Sequence, residues 1–205
     1  DLLHFSTLTV NKSPVEIVFM LNAFVNTLVP IIEKHHGFVE KAINQGDTIY
    51  AMFHNVNDAM KTCIELKSMI LDKIGIGICT GPSIIGVIEY SHRLETVVVS
   101  ETIQTSHLLQ RLGKQFDIGV LTIQQVWDQV NCPEISSRPV VTVVIHGIEY
   151  VLVEVCQDDN KIRTRLQNAM QEYFITKQFE QFSKICVELL QVEPNKLVEF
   201  YKKTS

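Results

Sequence analysis

Cysteine and histidine, the residue types best suited to metal and nucleophilic chemistry, are present but are not spaced as a site. The cysteines form no CxxC pair and no Cys/His cluster of metal-ligand spacing, and they lie far apart at Cys63, Cys79, Cys132, Cys156 and Cys186. We therefore expect reduced cysteines packed as small apolar residues. His35 and His36 are adjacent, so their side chains point in different directions. A positively charged histidine there would interact favourably with the C-terminal end of a helix dipole. Neither type of residue indicates a catalytic centre by itself.

The size and charge of the chain narrow the classes of protein it can be. Its 205 residues are enough for one main domain with an appendage, and 46% hydrophobic with 20% charged residues is typical of a soluble globular protein. A formal net charge of −5 provides no basic field for nucleic acid or anionic lipid. We expect neither nucleic acid nor a membrane as a partner.

The sequence also leads us to expect a cytoplasmic segment of a larger protein. We find no apolar run of about 18 residues that would span a bilayer, and no signal peptide. The chain begins at Asp1 and enters an apolar stretch at once.

The first 72 residues predict a helix, a hairpin and a second helix. Ser13-Pro14-Val15-Glu16 is a helix start, with Ser as N-cap, Pro at the first helical position and Glu closing a capping box. Gly37 ends that helix. Residues 38–43 and 48–53 read as strands joined by Asn44-Gln45-Gly46-Asp47, in which Asp47 taken alone indicates only a turn. Residues 57–72 have the apolar spacing of an amphipathic helix.

The next stretch predicts a mixed α/β domain that ends near residue 156. Residues 74–80 and 83–90 read as strands around a Gly81-Pro82 turn, and further elements follow: a helix over 102–112, a strand over 118–122, a short helix over 123–130, and a closing hairpin over 140–145 and 150–155.

Polar residues replace the β-branched ones at 157–161, and we place a domain boundary there. We assign residues 1–156 to the main domain. Residues 157–205 read as a C-terminal pair of helices like one tetratricopeptide hairpin, more typical of a packing appendage than of a peptide receptor.

Four stretches, in order, resemble the class III adenylyl and guanylyl cyclase domain. The opening Asp1 to Leu8 is similar to its first strand and turn, and Gly46 to Phe53 is similar to its Gly-Asp hairpin and following strand. The third is Ile76 to Gly81 with Ile84-Ile85-Gly86, and the fourth runs from Arg93 to Leu109. The resemblance covers about three quarters of the chain. It implies a ferredoxin-like α+β core in which two domains pair head to tail and share composite sites.

The resemblance also implies a chemistry for two carboxylates. In this family the ribose 3′-hydroxyl of ATP or GTP attacks the α-phosphorus and expels pyrophosphate, and two metal ions stabilise the charge on the attacking and leaving oxygens. Asp1 and Asp47 match the two metal-binding Asp positions, for Mg²⁺ or Mn²⁺.

The residues that the partner face should supply depart from the family pattern. The two purine-reading positions correspond to Ile43 and Val97, neither of which can pair with a purine edge. Lys41 recovers the Lys role only if Asn44-Gln45 is treated as an insertion. The ribose-orienting Asn corresponds to Gln104, which keeps an amide.

The position of the phosphate-binding Arg corresponds to Leu108, and Arg111 lies one helical turn further on. An alkyl side chain cannot replace a guanidinium at a transferring phosphoryl group.

The sequence therefore predicts a cyclase homology domain in cyclic-nucleotide signalling with a degenerate site. It would act as a regulatory or dimerising pseudocyclase, or as the metal-supplying half of a heterodimeric cyclase. The alternative is an active cyclase with an atypical site built from Gln104 and Arg111. In each case we expect a homodimer or a heterodimer with another cyclase domain.

Overall fold

The computed structural model describes residues 1–39, 46–70, 73–145 and 147–157, together with the isolated positions 168, 172, 181, 184, 185, 187 and 196. The elements in chain order are α1 (Phe5–Thr9), α2 (Pro14–Lys34), β1 (Phe38–Val39), β2 (Ala51–Met52), α3 (Val56–Ile70), β3 (Ile76–Gly77), β4 (Ile84–Tyr90), β5 (Arg93–Val99), α4 (Glu101–Phe116), β6 (Val120–Ile123), α5 (Gln124–Trp127), β7 (Ser136–Ile145) and β8 (Ile148–Cys156). The predicted mixed α+β class is confirmed. The predicted helices of the C-terminal segment lie outside the described residues, although Ile185 packs against the core.

A four-stranded sheet in the order β3-β6-β8-β7 forms the centre of the molecule. β3 and β6 are parallel, so the chain must cross over between them, and α4 lies on that crossover. β8 pairs antiparallel with both β6 and β7. β7 has a register shift between Pro139 and Thr142, where proline can donate no ladder hydrogen bond. The predicted closing hairpin is therefore present, and longer than predicted.

Helix α2 begins as its sequence predicts. The Ser13 side chain accepts from the Glu16 amide at 3.3 Å, and the Glu16 carboxylate accepts from the Ser13 amide at 2.7 Å. Its inner face buries Phe24, Leu28, Ile31 and Ile32. Its outer face exposes Val15, Val18 and Phe19.

We expected no segment long and apolar enough to cross a membrane, and α2 is a weak exception among the described helices. By length and composition this helix passes as a candidate span, although core helices of soluble proteins and signal sequences pass the same test. Because its inner face belongs to an apolar cluster with Leu2, Leu66 and Ile74, we interpret α2 as a core helix with one open face.

Two apolar clusters make up the core. Phe24 is buried in the smaller one, and five further apolar residues are half-buried and pack against the two clusters: Leu21, Ile49, Ala51, Ile76 and Ile78. The larger cluster joins α3, α4, β6 and β8 around Met60, Leu109, Leu121 and Leu152.

Between residues 74 and 99 the structure differs from the sequence-based expectation. β3 is only two residues long and pairs with β6, while β4 pairs antiparallel with β5, a strand that we did not predict. The β4-β5 hairpin pairs with no other strand among the described residues. Its apolar side chains are largely exposed: Ile84, Ile85, Val87, Ile88, Leu94 and Val99. α1, which we had assigned to a turn, is a short helix.

A buried ion pair, also not predicted, lies between the last two strands. Arg138 and Glu154 face each other across β7 and β8, with Nη2 of Arg138 3.1 Å from Oε1 of Glu154 and both side chains almost fully buried. Losing one partner would leave the other charge buried, which costs far more than the pair itself contributes.

Helices α2 and α3 are also joined by Glu65. Its carboxylate accepts from Lys34 Nζ and lies 2.7 Å from His35 Nε2. These hydrogen bonds, the one from Lys34 first, hold the pKa of Glu65 below its ordinary value of 4.5. A carboxyl group whose pKa is lower in the folded than in the unfolded state stabilises the fold at pH values above its unfolded-state pKa. This stabilisation is lost as the pH falls through the folded-state pKa.

We expect Glu65→Gln to lower the thermal midpoint slightly at pH 7, because the pair is exposed. The difference from the unmodified chain should shrink as the pH is lowered below about 4.5. The measurement is thermal unfolding between pH 7 and pH 3, with Glu33→Gln on the exposed face as the matched control. A difference between Glu65→Gln and the parent chain that is constant over this range would contradict the assignment.

Candidate functional site

The candidate metal site begins where the chain runs antiparallel beside β3. The Gly75 amide donates to the Asp1 carbonyl at 2.9 Å, and the Asp1 amino group donates to the Gly75 carbonyl at 3.1 Å. Leu2 then forms an antiparallel bridge with Ile74. The backbone of Asp1 is therefore fixed by strand pairing.

Asp47 is brought to the same place by the turn that it forms with Gly46. Gly46 adopts a positive φ of 94°, which glycine tolerates at no steric cost. The carboxylate Oδ2 of Asp47 then accepts from the Leu2 amide at 3.0 Å, and the Thr48 hydroxyl donates to Asp1 Oδ1 at 3.4 Å. Each acidic side chain is thus bound by the residue next to the other one: Asp1 by Thr48, and Asp47 by Leu2, from which it is 45 residues distant in the chain.

Asp1 and Asp47 are the acidic residues that the structure brings to this position. In the described part of the chain, no group of three or more His, Cys, Asp and Glu side chains is arranged to hold a metal ion. Within the described residues, these two carboxylates are what the site offers to an ion.

The predicted partner-face residues lie on other elements. Val97 is half-buried on β5 opposite Gly86. On α4, Gln104 and Arg111 are exposed and Leu108 is half-buried, and their spacing places all three on a similar face of the helix. Lys41 and Ile43 lie outside the described residues.

A cavity of about 1080 Å³ opens beside Asp1, between β2 and β3. Of the predicted site residues that are described, Asp1 is its one lining member. Its polar lining includes a hydrogen bond of 3.2 Å between the Tyr50 hydroxyl and His107 Nδ1, and burial raises the pKa of Tyr50. No local pattern predicts this contact, since the two residues are 57 positions apart and belong to no common motif.

Thr48 was also missed as a site residue, although it directly follows Asp47. Its hydroxyl contact with Asp1 depends on the bridge between Leu2 and Ile74, and that bridge joins segments far apart in the chain.

The comparison with models of known protein families found no match. Among curated proteins, the chain is 25% identical over 156 residues to an adenylate cyclase of Anabaena cylindrica, covering 67% of this chain and 31% of that protein. It is 24% identical over 166 residues to the terminal-differentiation-specific adenylate cyclase of Dictyostelium discoideum, covering 72% of this chain and 8% of that protein. The chain therefore spans less than a third of the length of either relative.

Solved structures share the fold. A bacterial light-regulated adenylyl cyclase matches 77% of this chain and 50% of its own, with a TM-score of 0.67 and 21% identity. The guanylate cyclase domain of a Catenaria anguillulae protein, solved in complex with GTP, matches 78% of this chain and 93% of its own, with a TM-score of 0.65 and 13% identity. Together the relatives and the shared fold support a class III adenylyl/guanylyl cyclase domain.

Proposed function

We propose that this class III cyclase domain is degenerate and acts by pairing, as the half that contributes metal-binding carboxylates to a composite site with another cyclase domain. The observation that carries the proposal is the contrast between its two faces. Leu2 binds the Asp47 carboxylate and Thr48 binds the Asp1 carboxylate, whereas Leu108, which the resemblance aligns with the phosphate-binding Arg, is an apolar residue on α4.

The carboxylate pair has the donor chemistry that Mg²⁺ or Mn²⁺ requires. These ions prefer oxygen ligands and complete their shell with water and substrate phosphates, so two carboxylates are enough protein ligands. A divalent ion held by Asp1 and Asp47 would stabilise charge on the reacting phosphate oxygens. The Leu2 amide and the Thr48 hydroxyl orient the two carboxylates by hydrogen bonding one oxygen of each.

The other face lacks the groups that would read a base and stabilise a transferring phosphate. Val97 offers no hydrogen bond, so a purine edge beside it would leave polar groups unpaired, at about 1 to 3 kcal/mol each. Leu108 provides no charge. A nucleotide bound by two copies of this chain would therefore meet carboxylates on one side and an apolar wall on the other.

The surface for pairing is the β4-β5 hairpin. It projects without a partner strand in the described part of the chain, and its apolar side chains Ile84, Val87 and Leu94 are more than 60% exposed. Exposed apolar area of this kind is typical of an interaction site. A second cyclase domain covering this hairpin would bring its own base-reading and phosphate-binding residues to Asp1 and Asp47.

The proposal predicts complementation. A homodimeric class III cyclase domain whose two metal-binding Asp residues are replaced by Ala should be inactive alone, and adding this chain should restore cyclic-nucleotide formation with Mn²⁺ and ATP or GTP. The reason is that one composite site of the mixed pair then has carboxylates from this chain and all other groups from the partner.

Two variants act as controls for complementation. Asp47→Ala should abolish the restored activity without weakening association. Leu94→Asp on the hairpin should lower it by weakening association, as measured by analytical ultracentrifugation. A mixed pair that forms but makes no product would contradict the metal-supplying role and leave a purely dimerising pseudocyclase.

An active homodimer is the second candidate, and one observation favours it. Gln104 and Arg111 are both exposed on α4, seven residues apart, and so point to a similar side of the helix. In that case Gln104 would orient the ribose and Arg111 would contact the phosphate. Arg111→Ala should then remove the activity of the isolated chain.

A further inference from the structure

Ser100 is the single residue between the β4-β5 hairpin and α4. β5 ends directly before it, and α4 begins directly after it. At the other end of the hairpin, Ser83 directly precedes β4, so both serines lie at the base of the hairpin. We call residues 81–83 together with residues 100–102 the hairpin junction.

The Ser100 hydroxyl forms three hydrogen bonds within the hairpin junction. It accepts from the Thr102 amide at 3.1 Å and from the Ser83 hydroxyl at 2.9 Å, and it donates to the Pro82 carbonyl at 3.0 Å. A serine hydroxyl has one donor and two acceptor sites, so its whole hydrogen-bonding capacity is used. The bond from Thr102 caps α4, whereas the other two attach the segment that enters β4.

The turn before β4 also touches α4 directly. A Cβ on Gly81 would overlap the Thr102 hydroxyl oxygen, so the absence of a side chain lets this turn lie against the first turn of the helix. Both ends of the hairpin are therefore attached to the start of α4. β5 is attached through the backbone at Ser100, and β4 through Pro82 and Ser83.

Helix α4 is in turn fixed to the strand beside the candidate metal site. The Ser106 carbonyl and the Gln110 amide lie so close to Gly77 of β3 that a Cβ there would overlap them. Just before β3, Gly75 exchanges two backbone hydrogen bonds with Asp1. A continuous path of contacts therefore runs from the hairpin through the hairpin junction, α4 and β3 to Asp1.

From this path we propose that Ser100 is a positioning residue. Its hydroxyl fixes the angle between the β4-β5 hairpin and α4, and so the direction in which the hairpin presents a paired domain to Asp1 and Asp47. It acts through the hairpin and touches no nucleotide. The effect on activity rests on the proposed function, whereas the fixed angle is a property of this chain alone.

The length of the hairpin makes a small rotation at its base important. Within the described residues it pairs with no other strand, and a single linking residue contributes only two soft backbone dihedrals. Each of its strands has seven residues and is therefore about 23 Å long. A rotation of about 3° at the base would displace the tip by about 1 Å, and such a misplacement can cost on the order of a hundredfold in rate.

Four variants separate the roles of these hydrogen bonds. Ser100→Ala removes all three, and Ser83→Ala removes one link to the hairpin while the helix cap stays. Ser100→Thr keeps the hydroxyl and should behave like the parent chain. Thr105→Ala is the matched control, because the Thr105 hydroxyl donates to the Glu101 carbonyl within α4 and links nothing to the hairpin.

The first measurement compares residual dipolar couplings of backbone amides in the hairpin and in α4. The chains carry Leu94→Asp, so that pairing does not restrain the hairpin. In the parent, both sets should fit one alignment tensor. Ser100→Ala should shrink or reorient the hairpin couplings relative to those of α4, and Ser83→Ala should do so to a smaller extent, whereas Ser100→Thr and Thr105→Ala should not. Unchanged hairpin couplings in Ser100→Ala would overturn the proposal.

The second measurement uses the mixed-pair assay with Leu94 restored. With saturating partner domain, Ser100→Ala should lower the maximal rate of cyclic-nucleotide formation at least about tenfold, because the composite site forms but is misaligned. Ser83→Ala should lower this rate in the same sense although α4 keeps its cap. The dissociation constant of the mixed pair and its affinity for Mn²⁺ should change by less than about threefold, because the interface and the carboxylates are intact.

The two measurements separate this proposal from the proposed function. Weaker association with an unchanged maximal rate would overturn the positioning role and leave Ser100 as a helix cap. If the parent chain restores no activity to its partner, the proposed function fails, and the dipolar couplings decide whether Ser100 fixes the hairpin.

Discussion

The isolated chain is expected to form cyclic nucleotide at least about a thousandfold more slowly than an intact class III cyclase domain, with either Mg²⁺ or Mn²⁺ and with either ATP or GTP. A positioned guanidinium at a transferring phosphoryl group contributes about 10³ to 10⁵ in rate, and Leu108 supplies no such group. In a symmetric pair both composite sites combine Asp1 and Asp47 from one copy with Val97, Gln104 and Leu108 from the other. Both sites therefore carry the same defects.

The measurement is product formation by the purified chain, resolved by chromatography to separate cyclic AMP from cyclic GMP. Leu108→Arg should raise any residual rate, because it restores a cation on the face of α4 that Gln104 shares. The matched control is Leu112→Arg, one turn further along the helix, which should raise nothing. Rapid turnover by the unmodified chain that disappears in Asp47→Ala would contradict this expectation. It would show that Gln104 or Arg111 stabilises the transferring phosphate, a role that we assign to no residue of this chain.

Local sequence signals predicted α2, α3 and α4 well because the evidence for each of these helices lies within a few residues. The capping box of α2 involves only Ser13 and Glu16, and both of its hydrogen bonds form. The start of α4 depends on Ser100, whose hydroxyl accepts from the Thr102 amide at 3.1 Å. α4 then continues four residues beyond the predicted end at Leu112, because Asp117 takes up the left-handed conformation that closes it.

Strand partners were harder to predict because they depend on distant parts of the chain. The β-branched run of β4 resembles a buried strand, but its side chains are exposed and its partner is the adjacent β5. β3 pairs with β6, which follows only after the hairpin and α4. No periodicity within β3 carries that information.

The candidate metal residues came from the resemblance, and the contacts that hold them came from the structure. Gly46-Asp47 by itself indicates a turn, and the hydrogen bond from the Leu2 amide to Asp47 follows only from the bridge between Leu2 and Ile74. The roles of Asp1, Asp47 and Gln104 remain predictions. Lys41 lies outside the described residues, so its role also stays a prediction.

Helix α4 can pack closely against β3 because Gly77 has no side chain. A Cβ there would lie 2.5 Å from the Gln110 amide nitrogen, 3.1 Å from Leu109 Cβ and still closer to the Ser106 carbonyl oxygen. Two of these are backbone atoms of α4, so a rotamer change cannot relieve the clash. The helix itself must move away from β3.

We therefore expect Gly77→Ala to lower the free energy of unfolding by at least about 2 kcal/mol, in the range of overpacked cores. Since Gly75, just before β3, pairs with the backbone of Asp1, strain at Gly77 should also reduce complementation with a partner cyclase domain even where the variant remains folded. Urea unfolding measures the first effect and the mixed-pair assay the second. Gly86→Ala is the matched control, because a Cβ at Gly86 meets only Val97 Cγ2, at 3.9 Å. Equal stabilities for the two variants would mean that α4 does not pack against β3 as closely as this geometry requires.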